Sequence, residues 1–209
     1  MDGARYVHIT GWGSYSPARV VTNEELTRIV ETSDAWIRDR SGIAQRHIAD
    51  DNEHTSMMAT RAARRALRMA GVDPGRVDLI IVSSVTPDYL MPSTACLVQD
   101  NLGAGSAGAF DLNAACSGFI YGVCVATGLI RAGIHDTVVV VGSESLSRVT
   151  NWTDRGTCVL FGDGAGAVVL EASDRPGGVL STTVGSDGSG GDMLSIHLGT
   201  RIPVYAPTV

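Results

Sequence analysis

The chain has 209 residues, enough to bury a sizeable core in one or two domains, and its 44% apolar and 18% charged residues are ordinary for a soluble globular protein. A formal net charge of -6, with no basic patch, argues against nucleic acid as a partner. No apolar run approaches the ~18 residues of a membrane span and no leader pattern opens the chain. Its four cysteines lack metal-ligand spacing, so no membrane, no metal, reduced thiols and a cytoplasmic location are expected.

Tyr6-Val-His-Ile-Thr10 alternates and meets Gly11 and Gly13, which predicts a short strand ending there. Thr22-Asn-Glu-Glu25 has the form of a capping box for a helix carrying Leu26, Ile29 and Val30. A second helix starts at Ser33-Asp34, carries Trp36 and Ile37 and stops at Ser41-Gly42. Between Thr55 and Gly71 a longer amphipathic helix sets Met58, Ala62, Ala66 and Met69 on one side and Arg61, Arg65 and Arg68 on another. The arginine stripe reads as a solvated face, with an acidic partner as the alternative.

Leu79-Ile-Ile-Val82 is an apolar run of strand length, expected to be covered on both faces. Pro87 and Pro92 bracket a loop, after which Ser93 caps a helix that holds Cys96 and Leu97 and ends near Gly103. A strand over 109–112, a small-residue helix from Cys116 to Gly133 and the buried strand Thr137-Val-Val-Val-Val141 follow. Helices alternating with apolar strands predict an α/β layered domain with a largely parallel sheet. Asp163-Gly164, lying between Cys158-Val-Leu-Phe161 and Ala167-Val-Val-Leu170, predicts a hairpin rather than a phosphate loop. Beyond Glu171 the chain turns Gly/Ser-rich, and Pro203 to Pro207 reads as loop.

The chemistry concentrates in Phe110-Asp-Leu-Asn-Ala-Ala-Cys-Ser-Gly-Phe119. It places Cys116 where a strand gives way to a helix. At a helix's first turn, unpaired N–H groups and the positive end of the dipole favour a thiolate and can steady an oxyanion. Ser117-Gly118 is expected to leave room for substrate. Cys96, Cys124 and Cys158 sit in apolar patterns and read as small buried hydrophobes.

Six collinear segments resemble the β-ketoacyl-acyl-carrier-protein synthase III family of the thiolase-fold superfamily. They are Gly11-Trp-Gly-Ser-Tyr-Ser-Pro17 with Val21-Thr-Asn23, Thr32-Ser-Asp-Ala-Trp-Ile37, Arg40-Ser-Gly-Ile43, residues 111–118, Thr153-Asp-Arg-Gly156 and Phe161-Gly-Asp-Gly-Ala-Gly166. The resemblance implies a thiolase-like layered fold, with a five-stranded mostly parallel sheet and helices on its faces, as the N-terminal half of a two-half fold. Residues 1–171 would form that half and 172–209 the start of the connection to a second half, expected to be absent from this chain. It also implies a ping-pong decarboxylating condensation. Cys116 takes an acyl group from acyl-CoA, and malonyl-acyl-carrier-protein decarboxylates and attacks it.

By the same resemblance Thr32, Trp36, Arg40 and Arg155 bind the nucleotide end of CoA, while Met91, Phe161 and Leu194 line the acyl pocket. No cofactor is implied beyond acyl-CoA as substrate, and the family pairs as homodimers. Two departures stand out. Methionine occupies position 91, where the family usually has an aromatic that reaches the neighbouring subunit. The family's catalytic His and Asn belong to the second half, and His197 does not match their motif. Without that half, one sheet face and the outer side of the Cys116 helix are expected to lie bare. The competing readings are a thiolase-fold acyltransferase using Cys116 on another acceptor, and a non-catalytic partner subunit, against which the cysteine counts.

Overall fold

A computed structural model describes residues 5–196. His197 and the loop expected over 203–207 lie outside them. In chain order the elements are β1 (Tyr6–Tyr15), β2 (Arg19–Thr22), α1 (Asn23–Leu26), α2 (Asp34–Ser41), β3 (Gln45–Ile48), α3 (Thr55–Ala70) and β4 (Leu79–Ser83). Then come α4 (Thr94–Leu102), β5 (Gly108–Leu112), α5 (Gly118–Arg131), β6 (Thr137–Ser145) and β7 (Asp163–Ser173).

Five strands form one sheet in the order β1-β7-β6-β4-β5. The pairs β4–β5 and β4–β6 are parallel, and β7 runs against both β6 and β1, so every strand but β7 points the same way. Period-two alternation in β4 and β6 explains why their sequences are apolar throughout. Ile80, Val82, Val139 and Val141 face α3 and α4, where Ala59, Ala62, Ala63, Ala66 and Val98 meet them. Leu79, Ile81, Val138 and Val140 face the other way, under Val123, Ala126 and Ile130 of α5. Each such isoleucine or valine contributes about 1.5–3 kcal/mol by leaving water. Both faces of the sheet are therefore covered, contrary to the expectation that one lies bare. The outer side of α5 does keep Ile120 half exposed, at 50%.

A smaller lobe rests on one side. The β2–β3 ribbon, α1 and α2 gather Val21, Leu26, Val30 and Ile37 around Cys158 and Val159, with Trp36 and Trp152 packed against them. The capping box is present, with the Thr22 side chain accepting from Glu25 N and the Glu25 carboxylate from Thr22 N. Its helix nevertheless stops at Leu26, leaving Ile29 outside it and exposed.

Several local expectations change. β1 continues through Gly11 and Gly13 because α3 crosses it at backbone contact: a side chain at Gly13 would meet the Ala62 carbonyl oxygen at 2.5 Å. The glycines mark a close approach, not a strand end. The α3 arginines are not a merely solvated face, since Arg61 pairs with Glu53 at 2.6 Å and stands 4.6 Å over the Tyr15 ring, and Arg65 donates to Ser14 O. Met69 is half exposed and accepts from Trp12 N. The hairpin is absent as drawn: Cys158–Leu160 is a single 3-10 turn, and Asp163 already belongs to β7.

Candidate functional site

The parallel strands converge at their carboxyl ends, and Cys116 stands there. β5 ends at Leu112, a 3-10 turn spans Ala115–Ser117, and α5 begins at Gly118. Ala115 adopts φ 46°, a backbone conformation that costs a non-glycine residue about 1–2 kcal/mol. That bend leaves the neighbouring Cys116 exposed. Gly118 does not open space for substrate as expected. It is buried against β4, where an added Cβ would fall 1.9 Å from Ser83 Oγ, and at Gly122 one turn later a Cβ would fall 2.8 Å from Val140 Cγ1. The pair lets α5 descend onto the strands and starts its dipole two residues beyond the sulfur. The N–H groups of Ser117 and Gly118 are already donated to Ala114 O and Ala115 O, so they are not free for an oxyanion in this arrangement.

The other thiols separate by environment. Cys158 is fully buried, and burial followed by the nearby Asp154 carboxylate pushes its thiol up. Cys96 is exposed at the start of α4, against the expectation of a core residue, and Cys124 is half-buried beside Thr182 Oγ1 at 3.3 Å.

At the same end of the sheet lies a web of hydroxyls and carboxylates. Asp111 of β5 accepts from Thr94 N and Ala95 N at 2.7 Å each, setting a negative charge on the amino end of α4. Glu144 of β6 accepts from Thr86 Oγ1 at 2.6 Å, Val85 N at 2.9 Å and Ser84 Oγ at 3.3 Å. Burial raises its carboxyl above the ordinary range despite those donors. These bonds anchor the root of the 84–92 loop, whose tip exposes Tyr89, Leu90 and Met91 at 60%, 96% and 87%.

In the smaller lobe two residues of α2 meet a third from a distant part of the chain. The Arg40 guanidinium lies 4.5 Å and that of Arg155 lies 4.7 Å from the centroid of the Trp36 ring. Trp36 is half-buried, its body against the lobe core, and both arginines are exposed. Thr32 lies just upstream of α2, its Oγ1 buried and without a hydrogen-bond partner. A separate cleft of about 480 Å³ lies between Thr22, Asn23 and Thr27 on one side and Ser33, Asp34, Arg38 and Gln45 on another.

Residues 110–188, which hold Cys116, Arg155 and Phe161, match the family model for 3-oxoacyl-[acyl-carrier-protein] synthase III. A β-ketoacyl-[acyl-carrier-protein] synthase III of Roseiflexus castenholzii is 50% identical over 201 residues, 96% of this chain. Over nearly its whole length the chain is similar to β-ketoacyl-acyl-carrier-protein synthase III proteins. It spans 61% of the length of that curated relative. Among solved structures, the synthase III of Aquifex aeolicus superposes with a TM-score of 0.80 at 50% identity, covering 81% of this chain and 55% of that one. The priming β-ketosynthase of the R1128 polyketide biosynthetic pathway superposes with a TM-score of 0.86 at 40% identity, covering 91% of this chain and 57% of that one. The thiolase-like α/β architecture of the synthase III family is thus that of this chain.

The three positions assigned to the acyl pocket lie on separate segments. Met91 tips its loop, Phe161 follows the 158–160 turn and is half-buried, and Leu194 is 77% exposed near the end of the described chain. Sequence reasoning passed over two buried polar residues of the lobe, Asn23 and Arg46, at 1% and 5% exposure. The signal for Arg46 was a lone arginine inside the short strand Gln45–Ile48.

Proposed function

We propose that this chain supplies the nucleophile and nucleotide-binding half of a β-ketoacyl-acyl-carrier-protein synthase III. The observation that carries the reading is the convergence of Arg40 and Arg155 on the face of Trp36, in the fold that exposes Cys116 at the end of β5. An indole face offers a stacking surface for adenine, and guanidinium groups pair with phosphates. Thr32, with its unpartnered hydroxyl, completes that CoA site.

The Cys116 sulfur attacks the acyl-CoA carbonyl, a C–S bond forms, and the CoA thiolate departs with the other C–S pair. Malonyl-acyl-carrier-protein then loses carbon dioxide. The electron pair of the broken C–C bond becomes an enolate, which attacks the acyl-enzyme carbonyl and expels the Cys116 sulfur, giving a β-ketoacyl product. The donors that steady the enolate are the histidine and asparagine of the family's second half. Residues 1–171 make the first half, although β7 runs on to Ser173, and the segment from 172 leads toward the second. The reaction uses acyl-CoA as substrate and no resident cofactor.

Met91, Phe161 and Leu194 shape the acyl pocket, Met91 by reaching a second copy. Pairing into a homodimer is supported by β5, an outermost strand of the sheet, and by the exposed loop tip beside it. A cytoplasmic setting fits the substrates, and no helix among the described residues is long and apolar enough to cross a membrane.

Incubation with radiolabelled acetyl-CoA tests the reading. Label is expected on the native chain and on Cys96→Ala, and none on Cys116→Ala. Since Cys96 is also exposed, an alkylating reagent would not discriminate, whereas a CoA thioester does. Label persisting on Cys116→Ala would remove the assignment, and an unlabelled native chain would favour a non-catalytic subunit.

A further inference from the structure

Asn23 and Arg46 form a buried link between the two sides of the Trp36 site. The Arg46 guanidinium donates to Asn23 Oδ1 at 2.8 Å, to Val159 O at 3.1 Å and to Val21 O at 3.2 Å, while its Nε has no acceptor. The Asn23 amide in turn donates to Asp34 Oδ1 at 2.8 Å and to Ile43 O at 2.7 Å. Those two acceptors bracket α2, the helix that carries Trp36 and Arg40. Val159 lies in the turn that follows Arg155, and that segment is closed by Cys158 N donating to Asp154 O at 2.9 Å.

We propose that Asn23 and Arg46 are positioning residues for coenzyme recognition, a strut that sets the spacing between α2 and the Arg155 segment; this rests on the CoA site described above. All three acceptors of the guanidinium are neutral, so a cation has been taken out of water without an anion in return. Apolar side chains of similar volume fill such a position at least as well when packing alone is needed. What the polar pair adds is direction. A fixed guanidinium fork and a fixed amide allow one separation between the segments they join. The site needs that, because a guanidinium acts on an indole face only within about 6 Å of its centroid. Gly162 shows how tightly the turn is seated, since a Cβ there would lie 2.9 Å from Arg46 Cβ and 3.0 Å from His47 O.

Calorimetric titration of the chain with CoA and with 4′-phosphopantetheine, which lacks the nucleotide, tests the strut. Asn23→Ala is expected to weaken CoA about tenfold, as for the loss of one or two hydrogen bonds, and phosphopantetheine by less than about twofold. Because the strut acts through the Trp36 site, Asn23→Ala in a Trp36→Ala background should weaken CoA by less than about twofold further. Equal weakening of both ligands, or a full additional tenfold loss in the double variant, would overturn the proposal. Should Asn23→Ala not fold, Asn23→Asp keeps the acceptor for Arg46 and removes the donor to α2. It is expected to weaken CoA selectively, and unchanged CoA affinity would equally overturn the strut. CoA affinity indifferent to Trp36→Ala, or absent from the native chain, would instead sink the CoA site itself and the strut's role with it. Either result is distinguishable from a failure at Asn23 alone.

Discussion

Ala115 holds a strained backbone directly before Cys116, and the strain fixes where that sulfur emerges. Ala115→Gly should raise stability by up to about 1 kcal/mol in chemical denaturation, less the entropy that glycine returns to the unfolded chain. It should slow acyl transfer to Cys116, and unchanged labelling would mark the strain as incidental. Gly118→Ala should cost roughly 1–3 kcal/mol, because Ser83 is too short and too near its own backbone to yield. Lifting the start of α5 should also displace Cys116. Glu144 supplies a pH dependence of defined sign. Its folded carboxyl titrates above the ordinary glutamate value because of burial, so the ionised form is disfavoured by folding. Its cost is absent below the unfolded pKa and grows as pH rises through the folded one. The native chain should therefore lose stability relative to Glu144→Gln as pH rises from about 4 toward neutrality, read from thermal melts. Parallel melting curves would place Glu144 in contact with water.

Two elements, α2 and the segment 154–160, must stay in register for the Trp36 site to exist. Arg155→Ala is expected to weaken CoA severalfold, by about 1 kcal/mol for a half-exposed cation–ring contact, and to leave a short thioester without nucleotide unaffected in direct titration. Equal effects on both would move Arg155 away from the nucleotide. At this scale caps and periods were legible: Ser33, Ser93 and the Thr22–Glu25 box start helices where their spacing says they should. The strand expected at 158–161 was not, because a short apolar run fits a buried turn as well as a strand. Arg46 anchors that turn to β3 through Val159 O, and the bond joins residues far apart in the chain.

For the whole molecule, β5 leaves one hydrogen-bonding edge of the sheet available, with Phe110 at 37% exposure upon it. The chain is expected to be dimeric by light scattering, and Phe110→Lys to shift it toward monomer at micromolar concentration. An unchanged dimer would place the interface elsewhere. The sequence by itself determined the α/β alternation, the doubly covered strands β4 and β6, the caps and the position of Cys116 at a strand-to-helix junction. Those are consequences of local periodicity and residue chemistry. Only the tertiary structure decided which glycines admit a neighbouring backbone, that Gly118 serves helix packing, that Cys96 is exposed, and that Asn23 and Arg46 join α2 to the turn beyond Arg155. Each depends on separations through space between residues that no local pattern connects.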